Sequence, residues 1–391
     1  MELSTEEREI LAVVRKFVEN DVKPAAPDLE HADEFPEDLV KTMREIGLFG
    51  VLVPEEYGGL GLGILMYALI QVELSRGWMS LSGILNTHCI ASWMINRFGT
   101  AGQRDRYLPK MSTGEFRFAY SMTEPSAGSD VQAIRTHAER ENREFVITGQ
   151  KMWSTNGLRS SGILLLAKTD MDAVPRHRGM TAFVIEKEPG VSHQPGLTVP
   201  PQLRKLGYKG VETTELVFED FRTPVDSVLG GESEIGQGFK QFMAGIEVGR
   251  VNVAARGVGL AQAAFEAAIS YAQHREAFGV PIAEHQAIQM KLAGMATKIE
   301  AARLLLIQAA ERKEDGERAD LETGMAKLFA TEMAQEVALE AMRIHGGYGY
   351  SQEYPVERIY RDAPLLVIGE GTNEIQHLII ARRLLEMYRE G

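Results

Sequence analysis

Cysteine is almost missing from this chain. Cys89 stands alone, so no internal disulfide can form and a secreted, disulfide-stapled framework is excluded. No apolar run reaches the roughly 18 residues of a membrane span. Met1 to Glu7 is acidic, with neither an apolar h-region nor an Arg-rich amphipathic pattern. A cytoplasmic chain with no membrane anchor is the expectation. Positive charge is also in deficit: 42 Lys and Arg against 55 Asp and Glu leave a net charge of −13, a field that repels nucleic acid. A local Arg cluster can still hold a small phosphate-bearing ligand. There is no G-x-G-x-x-G, no P-loop, no G-x-S-x-G elbow and no H-E-x-x-H. Nine scattered histidines and one cysteine give no zinc-ligand spacing, so no metal site is expected. Chemistry then falls to a bound organic cofactor, or is absent.

With 391 residues, of which 44% are hydrophobic and 25% charged, the chain can build two or three ordinary cores. Ser4-Thr5-Glu6-Glu7 reads as a capping box, and Ile10, Leu11, Val14, Phe17 and Val18 follow it at helical spacing. Similar periodicity recurs at Leu39 to Ile46, Leu65 to Leu74 and Leu85 to Phe98. From Phe116 the pattern shifts to short β-rich runs: Phe116 to Met122, Glu144 to Thr148, Ile163 to Ala167, Thr181 to Ile185 and Glu215 to Phe218. Gln194-Pro195-Gly196 and Val199-Pro200-Pro201 read as loop, because proline cannot donate to a ladder. After Gly236-Gln237-Gly238, long Ala-rich helical faces return, closed by a last helix from about Thr372 to Glu390. The fold class is therefore α+β multidomain. An N-terminal α-helical domain (1–117) precedes a middle antiparallel β domain (118–232) and a C-terminal four-helix bundle (233–391).

Four segments stand out: Tyr120-Ser121-Met122-Thr123-Glu124-Pro125-Ser126-Ala127-Gly128-Ser129-Asp130, Lys151-Met152-Trp153-Ser154-Thr155-Asn156-Gly157, Arg275-Glu276-Ala277-Phe278-Gly279 and Gly369-Glu370-Gly371-Thr372-Asn373-Glu374-Ile375-Gln376. The first offers short hydroxyls and exposed backbone N–H groups, suited to a heterocycle edge or a phosphate, although a polar turn would look the same. In the second, strand alternation puts the Trp153 ring and the Thr155 hydroxyl on one face. Glu247 and Arg250, three apart on a long helix, read by themselves as a surface ion pair. Glu370 by itself reads as a turn carboxylate.

Together, in this order and separation, the four segments resemble the acyl-CoA dehydrogenase family of FAD flavoproteins, across essentially the whole chain. The resemblance implies that Glu370 is the base that removes an α-proton from an acyl-CoA thioester while the flavin N5 accepts the β-hydride, giving a trans-2-enoyl-CoA. It places Tyr120, Met122, Thr123, Ser129, Trp153, Ser154 and Thr155 around the flavin, with Thr155 near N5. It places Arg275 on the FAD pyrophosphate of a neighbouring subunit, with Phe278, Gln286, Arg343, Gly346, Gly347, Thr372 and Glu374 on the rest of the cofactor. Ser129, Glu247, Arg250 and Gly371 are implied in substrate binding, Arg250 meeting the CoA portion. An electron-transferring flavoprotein as acceptor and a homotetramer, a dimer of dimers, are implied as partners. An acyl-CoA oxidase using O2 and a non-catalytic acyl-CoA- or protein-binding relative remain alternatives. Some family members carry the base on the long helix instead; that position is Gly249 here, which has no carboxylate. Gly369 replaces an aromatic residue common before the base, and the space it leaves suits a branched or bulky acyl chain.

Overall fold

In the computed structural model, residues 3–316 and 318–389 are described. Six helices open the chain: α1 (Thr5–Phe17), α2 (Lys23–Ala32), α3 (Glu37–Glu45), α4 (Ile64–Gly77), α5 (Met79–Phe98) and α6 (Ala101–Ser112). The expected capping box forms at α1, with Glu7 N donating to Ser4 Oγ at 3.1 Å and Ser4 N to Glu7 Oε2 at 2.7 Å. Thr100 and Gln103 repeat the device at α6.

The middle region holds β1 (Phe118–Ser121), β2 (His137–Glu141), β3 (Glu144–Thr155), β4 (Gly162–Lys168), β5 (Met180–Glu186), β6 (His193–Gln194), β7 (Leu197–Thr198) and β8 (Thr213–Pro224). They form one sheet in the order β1-β4-β2-β3-β8-β7-β6, with β5 also on β4. Most pairings are antiparallel, but β1 runs parallel to β4, and β2 meets β4 in parallel at His137 and Lys168. The chain leaves β1, builds the β2–β3 hairpin and returns before entering β4, a connection long enough for a parallel neighbour. Along β4 and β5, Leu164, Leu166, Ala182 and Val184 join the helical core. Their alternates Ile163, Leu165, Phe183 and Ile185 fill a second core on the opposite face. Pro195 and Gly196 make the turn of the small β6–β7 hairpin, and Pro200-Pro201 lies in loop as the prolines require.

The chain then returns to helix: α7 (Gly238–His274), the short β9 (Glu276–Ala277) and β10 (Val280–Pro281) hairpin, α8 (Gln286–Glu314), α9 (Asp320–His345), α10 (Val356–Ile368) and α11 (Asn373–Met387). α11 ends at Met387, and Glu390, where the sequence placed that end, lies outside the described residues. α7 has 37 residues and is about 55 Å long, the spine on which the other helices pack. Gly257 and Gly259 let it approach its neighbours closely: a Cβ at 257 would sit 2.7 Å from the Ala330 carbonyl, and one at 259 would sit 2.3 Å from that of Val72. Arg361 on α10 is clamped between Glu30 and Glu357, tying α10 to α2. Among the described residues, no helix is long and apolar enough to cross a membrane.

Candidate active site

The turn between α10 and α11 carries Gly369-Glu370-Gly371, and Thr372 caps α11 through its Oγ1, which accepts from Ile375 N at 3.4 Å. Glu370 has φ +54° and Gly371 φ +83°. A left-handed glutamate is unfavourable by roughly 1–2 kcal/mol, so the surroundings must impose the shape. Lys327, fully buried on α9, does so by donating to the carbonyls of Val367 (3.3 Å) and Gly371 (2.9 Å) and to Asn373 Oδ1 (2.7 Å). Burial pushes the Lys327 ammonium down to about 8. Gln376 Nε2 adds a bond to Gly371 O at 3.1 Å.

The left-handed turn sends the Glu370 side chain inward, where it faces α7. A Cβ built on Gly249 would lie 2.7 Å from Glu370 Oε2. Oε1 accepts from Asn86 Nδ2 at 3.3 Å; Asn86 Oδ1 accepts from Tyr67 Oη at 2.9 Å, and Tyr67 Oη accepts from Asn252 Nδ2 at 3.0 Å. One polar residue from each of α5, α4 and α7 thus forms a buried chain ending on the carboxyl. Glu370 keeps partial solvent access as a residue, yet its carboxyl is enclosed and burial pushes its pKa up. Arg256, the Asn86 hydrogen bond, Arg250 and Lys327 pull the other way without cancelling that rise.

Gly249→Ala is therefore expected to displace the carboxyl. A misplacement on the order of 1 Å costs about 10²-fold in rate, so turnover should fall by that order while flavin absorbance per protein stays normal. Turnover within threefold of the parent would show that the contact is not confining.

On the sheet side, Glu124 and Lys151 form a buried ion pair at 2.9 Å, and Lys151 Nζ also donates to Met122 O at 3.0 Å. Met152 N donates to Thr123 O at 2.8 Å. Met122 and Thr123 are thereby fixed at the end of β1, half-buried beside Trp153. The alternation expected to align Trp153 with Thr155 is interrupted: a register shift between Lys151 and Ser154 and a φ of +64° at Trp153 turn its ring outward, 56% exposed. Thr155 is half-buried. Ser154 is turned away, its Oγ 2.8 Å from buried Ser121 Oγ, so its side chain is not on the open surface. The Tyr120 hydroxyl is likewise turned inward to Phe242 O at 3.0 Å. Burial, and after it the charge of Glu370, pushes that hydroxyl's pKa up. Ser129 is exposed.

A second surface gathers at the far end of α7. Phe278, at the tip of the β9–β10 hairpin, has φ +54° and is 98% exposed. The Arg275 guanidinium lies 5.8 Å from the Tyr348 ring centroid, beside Gly346 and Gly347, where added Cβ atoms would meet open space. Gln286 begins α8 and is exposed, Arg343 is exposed and paired with Glu340, and Glu374 is exposed in the first turn of α11. Arg250 is buried with its Nε unpartnered, as a site awaiting an anion would leave it. The surface pair read for Glu247 and Arg250 does not form, because Glu247 turns to Lys313 at 2.6 Å.

Sequence reasoning passed over Tyr67, Asn86, Asn252, Lys327 and the Glu124–Lys151 pair. Their signal was polar side chains inside otherwise apolar helix faces or strands.

Residues 4–115, 119–221 and 236–385 match, in order, the N-terminal, middle and C-terminal domains of acyl-CoA dehydrogenase. An acyl-CoA dehydrogenase of Bacillus subtilis (strain 168) is 42% identical over 386 residues, 98% of this chain and 99% of that one. The chain belongs to the acyl-CoA dehydrogenase family. It is an oxidoreductase of that family, and its α, β, α order is the family fold. Butyryl-CoA dehydrogenase from Megasphaera elsdenii superposes with a TM-score of 0.91 at 34% identity, covering 98% of this chain and 99% of that one. A chain solved in work on the electron transferring flavoprotein of Acidaminococcus fermentans superposes at 0.93 with 36% identity, covering all of both.

Proposed function

We propose that this acyl-CoA dehydrogenase uses FAD to oxidise the α,β-bond of an acyl-CoA thioester to a trans-2-enoyl-CoA, with Glu370 as the α-proton base. The observation that carries the reading is the enclosed Glu370 carboxyl, held inward by a strained turn and raised in pKa by burial. An ordinary carboxylate near pKa 4 is a weak base toward a carbon acid; desolvation strengthens it. The developing enolate oxygen needs a donor, and the Glu370 backbone N–H sits in the same turn.

The residues present fit FAD. The outward Trp153 ring offers a stacking face beside Met122, Thr123 and Thr155, and the open Gly346-Gly347 turn with Arg275 suits a phosphate-bearing cofactor. When bound, FAD supplies the acceptor for the β-hydride at its N5. Arg275, Phe278, Gln286 and Arg343 serve the cofactor of a neighbouring subunit in a dimer of dimers, and Thr372 and Glu374 complete that contact. Arg250, Ser129 and Gly371 take the CoA side, with Glu247 orienting that helix face through Lys313. Electrons pass to an electron-transferring flavoprotein in the cytoplasm. Gly369, whose added Cβ would meet only the Leu365 carbonyl, at 3.5 Å, leaves room for branching beside the reacting carbons.

Anaerobic mixing of the flavin-loaded protein with a panel of acyl-CoA thioesters should bleach the flavin band with at least one of them. A protein that binds FAD yet shows no bleaching with any straight, branched or acidic acyl-CoA would refute the dehydrogenase reading. Peroxide formed in stoichiometric yield under air would instead assign an oxidase.

A further inference from the structure

Beyond the carboxyl, a second polar layer is packed between α4, α5 and α7. Each helix supplies two polar residues one turn apart on one face: Tyr67 and Gln71, Asn86 and Ser82, Asn252 and Arg256. The first of each pair belongs to the chain that ends on Glu370. The second three lie one turn further along, consistent with α4 and α5 running in opposite directions.

Arg256 is only 5% exposed, and its donors meet neutral oxygens alone: Nε to Ser82 Oγ at 3.2 Å and Nη1 to Tyr208 Oη at 3.5 Å. Its guanidinium also lies 5.5 Å from the Tyr208 ring centroid. Among the described residues no carboxylate forms an ion pair with it. Gln71 is completely buried, and both its amide N and O lack any partner. A guanidinium cannot shed its proton, and burying it with only neutral oxygens in contact is unfavourable. An apolar acyl tail laid against this layer would keep it desolvated and unpaired.

The charge balance points the same way. Arg250, Arg256 and Lys327 all act on Glu370, but Arg250 also feels Glu247 and Asp320, and Lys327 also feels Glu374 and Glu332. Lys327 is spent on carbonyls of the base loop, and Arg250 is assigned above to CoA. Among the described residues, Arg256 has no carboxylate in direct contact, and Glu370 acts on it only through space. Seven residues of helix separate it from Gly249, an advance of about 10 Å. Helical side chains lean toward the N-terminus, which brings its guanidinium back toward Glu370.

We propose that Arg256, with Ser82 and Gln71, binds the distal carboxylate of the substrate, so that the enzyme acts on the CoA thioester of a short dicarboxylic acid. This rests on the dehydrogenase reading and names its substrate class. The carboxylate supplies a counter-charge in direct contact, accepts from the guanidinium and from the Gln71 amide, and fixes how deep the chain enters. Arg256 is thus a specificity-determining residue.

The test compares glutaryl-CoA with valeryl-CoA, of equal carbon number, on the flavin-loaded enzyme and on Arg256→Gln and Arg256→Lys. The wild type should favour glutaryl-CoA in kcat/KM. Arg256→Gln should lose about 100-fold more on glutaryl-CoA than on valeryl-CoA, the worth of a charged hydrogen-bonded contact, any change common to both reporting the charge withdrawn from Glu370, with Arg256→Lys intermediate. Equal losses on both thioesters would overturn the proposal, leaving Arg256 as a charge that only tunes Glu370; so would a wild type that prefers valeryl-CoA. Calorimetric binding of both thioesters to flavin-loaded Glu370→Gln reads the subsite without turnover. Tighter glutaryl-CoA binding that Arg256→Gln abolishes supports the subsite even if the dehydrogenase reading fails. Indifference to the carboxylate there overturns it, and that arm needs only the Arg256→Lys variant if Arg256→Gln does not fold.

Discussion

Glu370→Gln is expected to lose about 10²- to 10⁴-fold in the rate of flavin reduction, the usual worth of a positioned general base, while still binding FAD and acyl-CoA. The amide keeps the size of the carboxyl and its hydrogen bond from Asn86, so geometry survives and proton abstraction does not. The pH dependence has a definite sign. Burial raises the Glu370 carboxyl, and only its ionised form can accept a proton, so kcat/KM of the parent should climb with pH through a value above the ordinary carboxylate range. The variant's residual rate should be flat there. Stability runs oppositely. Between the unfolded and the raised folded pKa, the native state holds a proton that the unfolded chain has released, so stability falls as pH rises through the folded value. Glu370→Gln cannot ionise, and should therefore have the higher Tm above that window. A variant reducing its flavin at the parental rate would remove Glu370 from the chemistry.

The outline of the fold was legible because helix and strand carry different periods. The capping box at Ser4 formed at its expected residue, and Thr372 caps the last helix. β2 was not legible: His137-Ala138-Glu139-Arg140-Glu141 is mostly charged, and its strand state comes from pairing with β3 across a hairpin rather than from its own propensity. Strand alternation put the Trp153 ring on one face with Thr155, but the bulge that turns the ring outward was not legible, since a register shift leaves no mark in residue type. The Glu247–Arg250 pair failed because spacing along a helix reports who shares a face, not which neighbour from another helix arrives first. Lys313 does, held also over the Trp93 ring at 4.8 Å. The same limit hid the chain from Asn252 through Tyr67 to Asn86: three polar residues far apart in sequence meet only after α4, α5 and α7 pack.

Lys151→Met carries the largest expected stability effect, about 3–5 kcal/mol, the usual consequence of removing one partner from a buried ion pair. Glu124 would keep its bonds from Arg135 N (2.6 Å) and Thr136 N (2.9 Å) but lose its counter-charge, in a site where both side chains are sealed from water. Burial already holds the Lys151 ammonium down to about 8, a measure of how poorly the site solvates charge. The substitution would also strip Met122 O of its donor and loosen the strand end that presents Met122 and Thr123. Denaturant unfolding should show the loss, and the purified protein should carry substoichiometric FAD. Lys151→Met with Glu124→Gln should regain part of the stability, because the surviving amide oxygen still accepts an N–H and no charge is left buried. A Lys151→Met protein with full flavin content and a stability loss below 1 kcal/mol would mean that Glu124 protonates or rehydrates at little cost, and that the pair does not set the cofactor surface.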